Sequence, residues 1–134
     1  MKRALCLSVF ALLALVVVAM NTPSYADDAA QPEKLLRHVV CFKFKEDAKP
    51  ADKQAVEKAF AALPSKIEQI ADFEWGTNNS PEMLAQGYTH CFLVTFKSEA
   101  DREAYLPHPA HKEFVELLMP HLDEAFVIDY WASK

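Results

Sequence analysis

Ten residues, Tyr88–Lys97, constrain the fold of this chain more than any other stretch. They read Y-T-H-C-F-L-V-T-F-K, rich in β-branched and aromatic side chains and free of proline and glycine, which is the signature of a strand. Successive strand side chains point to opposite faces. Tyr88, His90, Phe92, Val94 and Phe96 therefore share one face, and Thr89, Cys91, Leu93, Thr95 and Lys97 the other. Leu35–Lys45 repeats the device, with His38, Val40, Phe42 and Phe44 opposite Val39, Cys41, Lys43 and Lys45. Each strand has one large apolar face that needs a cover, and each such face carries a histidine near the strand start.

The segments between supply the cover. Lys49–Leu63 has Pro50 near its start, then Ala, Lys, Glu and Gln in abundance, and Pro64 closing it, which are helix start and stop signals. Phe73–Gly76 reads as a short strand, and Thr77–Gly87 as a polar loop around Asn78-Asn79-Ser80-Pro81. Ser98, with Asp101 three residues on, starts a short helix in the manner of a capping box, and Pro107 ends it. Pro109 suits the first position of another helix, expected to run to about Leu122, and Ala125–Trp131 is the last strand. The order is β-α-β-β-α-β with the second helix broken in two: an α+β, ferredoxin-like arrangement with a four-stranded antiparallel sheet. The strands of His38 and His90 are expected as central neighbours running parallel, which would bring the two histidines together under the helices. The other sheet face also carries apolar residues. A second copy packing its sheet face to face across a two-fold axis would cover it, so a homodimer is expected.

The N-terminus bears on location. Met1-Lys2-Arg3 is positive, Ala4–Met20 is apolar but for Ser8, and Ser24-Tyr25-Ala26 ends a polar stretch with small residues. That is the pattern of a secretory signal peptide over residues 1–26, with cleavage expected after Ala26; the apolar run of 17 residues is short of the roughly 20 a bilayer span requires. Residues 27–34 read as a flexible leader and 35–132 as one domain. Losing Lys2 and Arg3 takes the formal net charge from −5 to −7. With no basic cluster, nucleic acid and anionic membranes are poor partners for the mature chain. The two glycines, Gly76 and Gly87, cannot build a phosphate loop or dinucleotide fingerprint, so no cofactor is expected. Cys41 and Cys91 form no CxxC and are read as buried free thiols inside strands.

Three histidines converge by independent arguments. His38 and His90 share the helix-covered face with Val40 and Phe92. His111 lies three and four positions before Phe114 and Val115 on an apolar stripe that continues through Leu118 and Leu122, so it points inward as well. His108 stands at the helix entrance, as a cap or towards solvent, and His121 at its end, where the helix C-terminus favours it. An i,i+3 pair at His108 and His111 matches no strong metal motif, and no metal is expected. A few polar groups inside an apolar shell is the usual form of a small-molecule site.

The strand His38–Lys45, the Gly87-Tyr88-Thr89-His90 strand start, the segment Tyr105…His108-Pro109-Ala110-His111 and the closing Asp129-Tyr130 together resemble the Dabb family, the stress-responsive dimeric α/β-barrel proteins, over about Leu35–Trp131. The resemblance implies two chains closing their sheets into a shared barrel. Some members condense polyketides by cofactor-free aldol chemistry; by that likeness His111 is a catalytic base and Tyr105 its catalytic hydrogen-bond partner. His38, His90, Val40, Phe92, His108 and Asp129 are then the ligand-binding set. Residue types agree: a neutral imidazole takes a proton from an activated methylene near neutral pH, and a tyrosine hydroxyl donates to the developing oxyanion. Asp129 would orient a histidine or lie on the surface. Two features depart from the cyclase pattern. Pro107 stiffens the turn after Tyr105, and an export signal would part the protein from polyketide substrates kept inside cells. The expectation is an exported dimer binding a small apolar ligand in a histidine-lined pocket, with cofactor-independent catalysis by His111 and Tyr105 (cyclase-like or oxygenase) as the alternative.

Overall fold

A computed structural model describes residues 34–133; the expected signal peptide and nearly all of the leader lie outside them. The elements run β1 (Leu36–Phe44), α1 (Pro50–Ala61), a 3-10 turn (Leu63–Ser65), β2 (Asp72–Thr77), β3 (His90–Phe96), α2 (Glu99–Tyr105), α3 (Pro109–Leu118) and β4 (Leu122–Trp131). They form a four-stranded sheet in the order β2-β3-β1-β4, with every paired neighbour antiparallel. The ferredoxin-like expectation holds. Among the described residues no helix is long and apolar enough to cross a membrane.

The helix starts are set by local chemistry. The Asp52 carboxylate accepts from the Lys49 backbone N–H at the head of α1, at 3.0 Å. Ser98 Oγ accepts from Asp101 N–H at 3.1 Å, and His108 Nδ1 caps α3 by accepting from Ala110 N–H at 3.1 Å; each satisfies a donor that the first helical turn leaves free. α3 stops at Leu118, four residues short of the expected Leu122. Pro120 explains the difference, having no N–H to continue the helix and a ring that crowds the preceding turn. Met119, Pro120 and His121 form a turn instead, and β4 begins at Leu122.

One expectation about the sheet is corrected. β1 and β3 are antiparallel, with His38 opposite Val94 and Phe42 opposite His90. The α1 crossover makes β1 and β2 the parallel pair of the fold. β3 then returns from β2 through a direct loop, so it must run against both. Four residues of β1 separate the two histidines, about 13 Å at a strand's rise per residue. They do not meet.

The core sits between the helices and the face that holds His38, Val40, Phe42, Phe92, Val94 and Phe96. Phe60 of α1 lies at its centre, its ring centroid 4.4 Å from that of Phe92 and 4.5 Å from that of Phe114 on α3. On the opposite face Phe126, Ile128 and Tyr130 are 48%, 46% and 47% exposed, a row of large apolar groups along β4 that no helix among the described residues covers. Cys41 and Cys91 face each other across β1 and β3 on that same open face. Both are free thiols, half-buried and exposed respectively rather than buried, because no helix covers them.

Candidate functional site

Tyr105, the last residue of α2, is fully buried. Its ring meets three side chains: His38 with centroids 6.0 Å apart, Phe96 at 5.1 Å and His111 at 4.3 Å. Pro107 and the His108 cap turn the chain sharply between α2 and α3. His111 therefore comes back over Tyr105 one turn into α3. His38, Tyr105 and His111, with Val40, Phe42, Phe60, Leu106, Phe114, Val115, Leu118 and Val127, line a half-open cavity of about 250 Å³. At about 30 Å³ per water in the liquid, that space suits a small molecule rather than a long chain.

The hydrogen bonds define the polarity of each ring. His111 Nδ1–H donates to the Leu106 carbonyl oxygen at 2.9 Å, which leaves Nε2 and its lone pair for the cavity. Burial pulls the His111 pKa below the usual histidine value; the Leu106 carbonyl opposes this, and His38 and His108 nearby disfavour a further positive charge. The imidazole is thus neutral at pH 7. Burial alone drives the Tyr105 phenol far above its ordinary range, so the hydroxyl stays protonated. It is buried without a hydrogen-bond partner among the described residues, a condition that costs about 1–3 kcal/mol.

His38 is also buried, and its Nδ1–H donates to Asp129 Oδ1 at 2.6 Å. The other oxygen of Asp129 accepts from Arg102 Nη1 at 2.7 Å. Burial works to raise the Asp129 pKa, but the hydrogen bonds from His38 and Arg102, with their charges, outweigh it and hold the carboxyl below its usual value. Register makes the pair: Asp129 is the β4 partner of His38 in the ladder, on the helix-covered face. Of the two placements expected for Asp129, the structure has it hydrogen-bonded to a histidine rather than free on the surface.

His38, Val40, Tyr105 and His111 are therefore brought together as expected. His90, Phe92 and His108 are not. The antiparallel course of β3 carries His90 to the far end of the sheet, where its Nε2–H donates to Glu57 Oε1 at 3.0 Å and Nδ1 lies 2.8 Å from Thr89 Oγ1. There it borders a depression of about 590 Å³ on the Trp75–Asn78 edge of the sheet. Phe92 is packed solid against Phe60, and His108 spends its Nδ1 on the α3 cap. His121 sits 3.7 Å from Asp52, so His108, His111 and His121 each turn to a different partner. Arg102 is the residue that sequence reasoning missed. It stands one helical turn before Tyr105, and that i,i+3 spacing places both on one face of α2.

Comparison with known proteins places this geometry. The family profile described as "Stress responsive A/B Barrel Domain" matches residues 36–132. Stress-response A/B barrel domain-containing protein HS1 of Arabidopsis thaliana is 40% identical over 95 residues, covering 71% of this chain and 87% of the relative. Olivetolic acid cyclase of Cannabis sativa is 29% identical over 99 residues, covering 74% of this chain and 98% of the cyclase. Among solved structures, hydroxynitrile lyase from Passiflora edulis superposes with a TM-score of 0.72 at 25% identity, covering 77% of this chain and 97% of the lyase. Several similar structures are described as dimeric. The chain belongs to the Dabb family of stress-responsive A/B barrel domains.

Proposed function

We propose that the cavity is a cofactor-independent proton-transfer site for a small, uncharged carbonyl compound, in a protein that works as an exported homodimer. One observation carries the reading: a neutral His111 with its lone pair free packs its ring against Tyr105, whose buried hydroxyl has no partner among the described residues. His111 Nε2 takes a proton from the carbon next to the carbonyl. The electron pair of that C–H bond moves to the carbonyl oxygen, and the Tyr105 hydroxyl donates to the charge that develops there. Two similar proteins, a cyclase and a hydroxynitrile lyase, support a reaction of a carbonyl compound or its adduct in this fold.

The apolar majority of the cavity wall also supports a second reading, in which a small ligand is held without reaction. The uncovered row on β4 and the dimeric relatives support the homodimer. The signal-like N-terminus supports export, which predicts a mature chain beginning at Asp27 by N-terminal sequencing.

Acetylacetone is a direct probe, since its central methylene exchanges with deuterium through the proposed step. The expected result, read by proton NMR in heavy water, is exchange faster than in buffer alone and reduced by roughly 10²–10⁴ in His111→Ala. Mandelonitrile cleavage, followed by benzaldehyde absorbance, extends the test to lyase chemistry. Saturable binding of acetylacetone with exchange at the buffer rate would favour the second reading; neither binding nor exchange would overturn both.

A further inference from the structure

Arg102 lines no part of the cavity, yet it holds the group that holds His38. We infer that Arg102 is a positioning residue, acting through Asp129 to fix the tautomer of His38 so that a second imidazole lone pair, on Nε2, faces the cavity beside that of His111. The inference rests on the reading of the cavity as a proton-transfer site.

The geometry is closed at both ends. Asp129 has two carboxylate oxygens, and one is committed to Arg102 Nη1 at 2.7 Å and the other to His38 Nδ1 at 2.6 Å. A carboxylate pinned at one oxygen by a guanidinium cannot turn away from the ring on its other oxygen. The His38 proton is thereby kept on Nδ1, and Nε2 is left as an acceptor. The Arg102 and Asp129 side chains are only 23% and 24% exposed, so water competes poorly for either partner.

A plain tie between α2 and β4 would account for the contact but not for its charge. An unpaired carboxylate beside an imidazole favours the imidazolium, and an imidazolium has no lone pair to offer. The Arg102 cation offsets the charge of Asp129 and leaves orientation as the main effect on the ring. The titratable and charged groups facing His38 are Asp129 from β4, Arg102 and Tyr105 from α2, and His111 from α3; β3 presents Val94 and Phe96. Arg102 is the permanent cation in that set. The result is a cavity that the Nε2 atoms of two imidazoles and one hydroxyl donor face together, an arrangement that suits a small polar group on an otherwise apolar substrate.

The test is nitrogen NMR of the imidazoles on the full domain at neutral pH, where the Nδ1 and Nε2 shifts of His38 report its tautomer. Wild type is expected to show the Nδ1–H form. Arg102→Met is expected to lose that single signature, since the carboxylate is then free to turn on the ring. Arg102→Lys, which keeps the charge, is expected to restore most of it. Arg102→Gln serves if the methionine variant does not fold: it keeps a donor, lacks the charge, and is expected to lose the signature in part. Unmoved His38 shifts in the neutral variants, with a lower melting temperature, would reduce Arg102 to a tie and overturn the inference. Because the spectrum needs no substrate, it is independent of acetylacetone exchange. A changed His38 signature in a protein that catalyses no exchange would sink the proposed function and leave the positioning role standing.

Discussion

The His111 and Tyr105 rings lie 4.3 Å apart at their centroids, one at the start of α3 and the other at the end of α2. The break between the two helices creates this contact. A single continuous helix would separate residues six apart by more than one and a half turns, whereas Pro107 and the His108 cap fold the second helix back over the first. Local turn chemistry thus places a neutral base against a protonated hydroxyl, and the apolar walls of the cavity keep both in those states.

Replacing Tyr105 by Phe separates stability from chemistry. The hydroxyl is buried and has no partner among the described residues, so its removal is expected to leave the protein as stable or more stable by about 1 kcal/mol. Acetylacetone exchange is expected to fall by roughly 10²-fold or more with the loss of the donor. Thermal denaturation and the exchange rate, measured on one preparation, check both halves; a clear drop in melting temperature would mean that the hydroxyl has a partner.

The His111 pKa is lowered by burial, and two consequences follow with the same sign. Exchange activity needs the neutral ring, so it is expected to persist below the ordinary histidine midpoint of about 6.5 and to fall only at more acid pH. Stability follows because the unfolded chain takes up the proton first. The native state is favoured fully above the unfolded value and loses that advantage as pH falls through the folded value. A pH–rate profile with its acid limb near or above 6.5 would contradict the assignment of His111 as base.

The two thiols on the open face are expected to react unequally. Burial, with a hydrogen bond that the Cys41 S–H donates to Cys91, pushes the Cys41 thiol up to about 11. The thiolate is the reactive form, and burial remains when Cys91 is replaced, so at pH 7.5 Cys41 in a Cys91→Ser variant should label with a disulfide reagent more slowly than an ordinary free cysteine. Stopped-flow absorbance on the single-cysteine variants measures this directly, and rapid labelling of Cys41 would refute it.

The open face also predicts assembly. Phe126, Ile128 and Tyr130 form an exposed apolar row on β4, a patch of the kind that marks an interface. Light scattering is expected to give twice the chain mass for the wild type and a single chain mass for Ile128→Glu, which places a charge in the row without touching the cavity side. A wild-type monomer at micromolar concentration would count against the barrel.

Much of this was legible from side-chain periodicity. The alternation in β1 and β3 set the faces, Ser98 and Pro109 located the helix starts, and the stripe through Phe114 turned His111 inward. Strand direction and register were not legible in the same way. Period-2 alternation says which face a residue occupies but is blind to which way its neighbour runs, so His38 and His90 looked adjacent when only their faces agreed. Arg102 escaped for a related reason: its partner Asp129 is 27 residues away, and the ladder pairing of β4 with β1 is what makes the two meet. Proline effects were legible in part: Pro107 marks a stop between the two helices, whereas Pro120, which cuts α3 at Leu118, lies inside the span that the apolar stripe alone suggests.

His90 provides the sharpest test of that correction. It is buried between Glu57, Thr89 and Phe44, in a cluster distant from the His38–Tyr105–His111 cavity. His90→Gln removes an aromatic packing partner and weakens the link to α1, and it should destabilise the domain by about 1–3 kcal/mol. Acetylacetone exchange per folded molecule should stay within about twofold of wild type, because sites this far apart without shared partners act independently. Urea unfolding gives the first quantity and exchange normalised to folded protein gives the second. A large loss of exchange with unchanged stability would put His90 back beside the reacting atoms and require β3 to lie differently against β1.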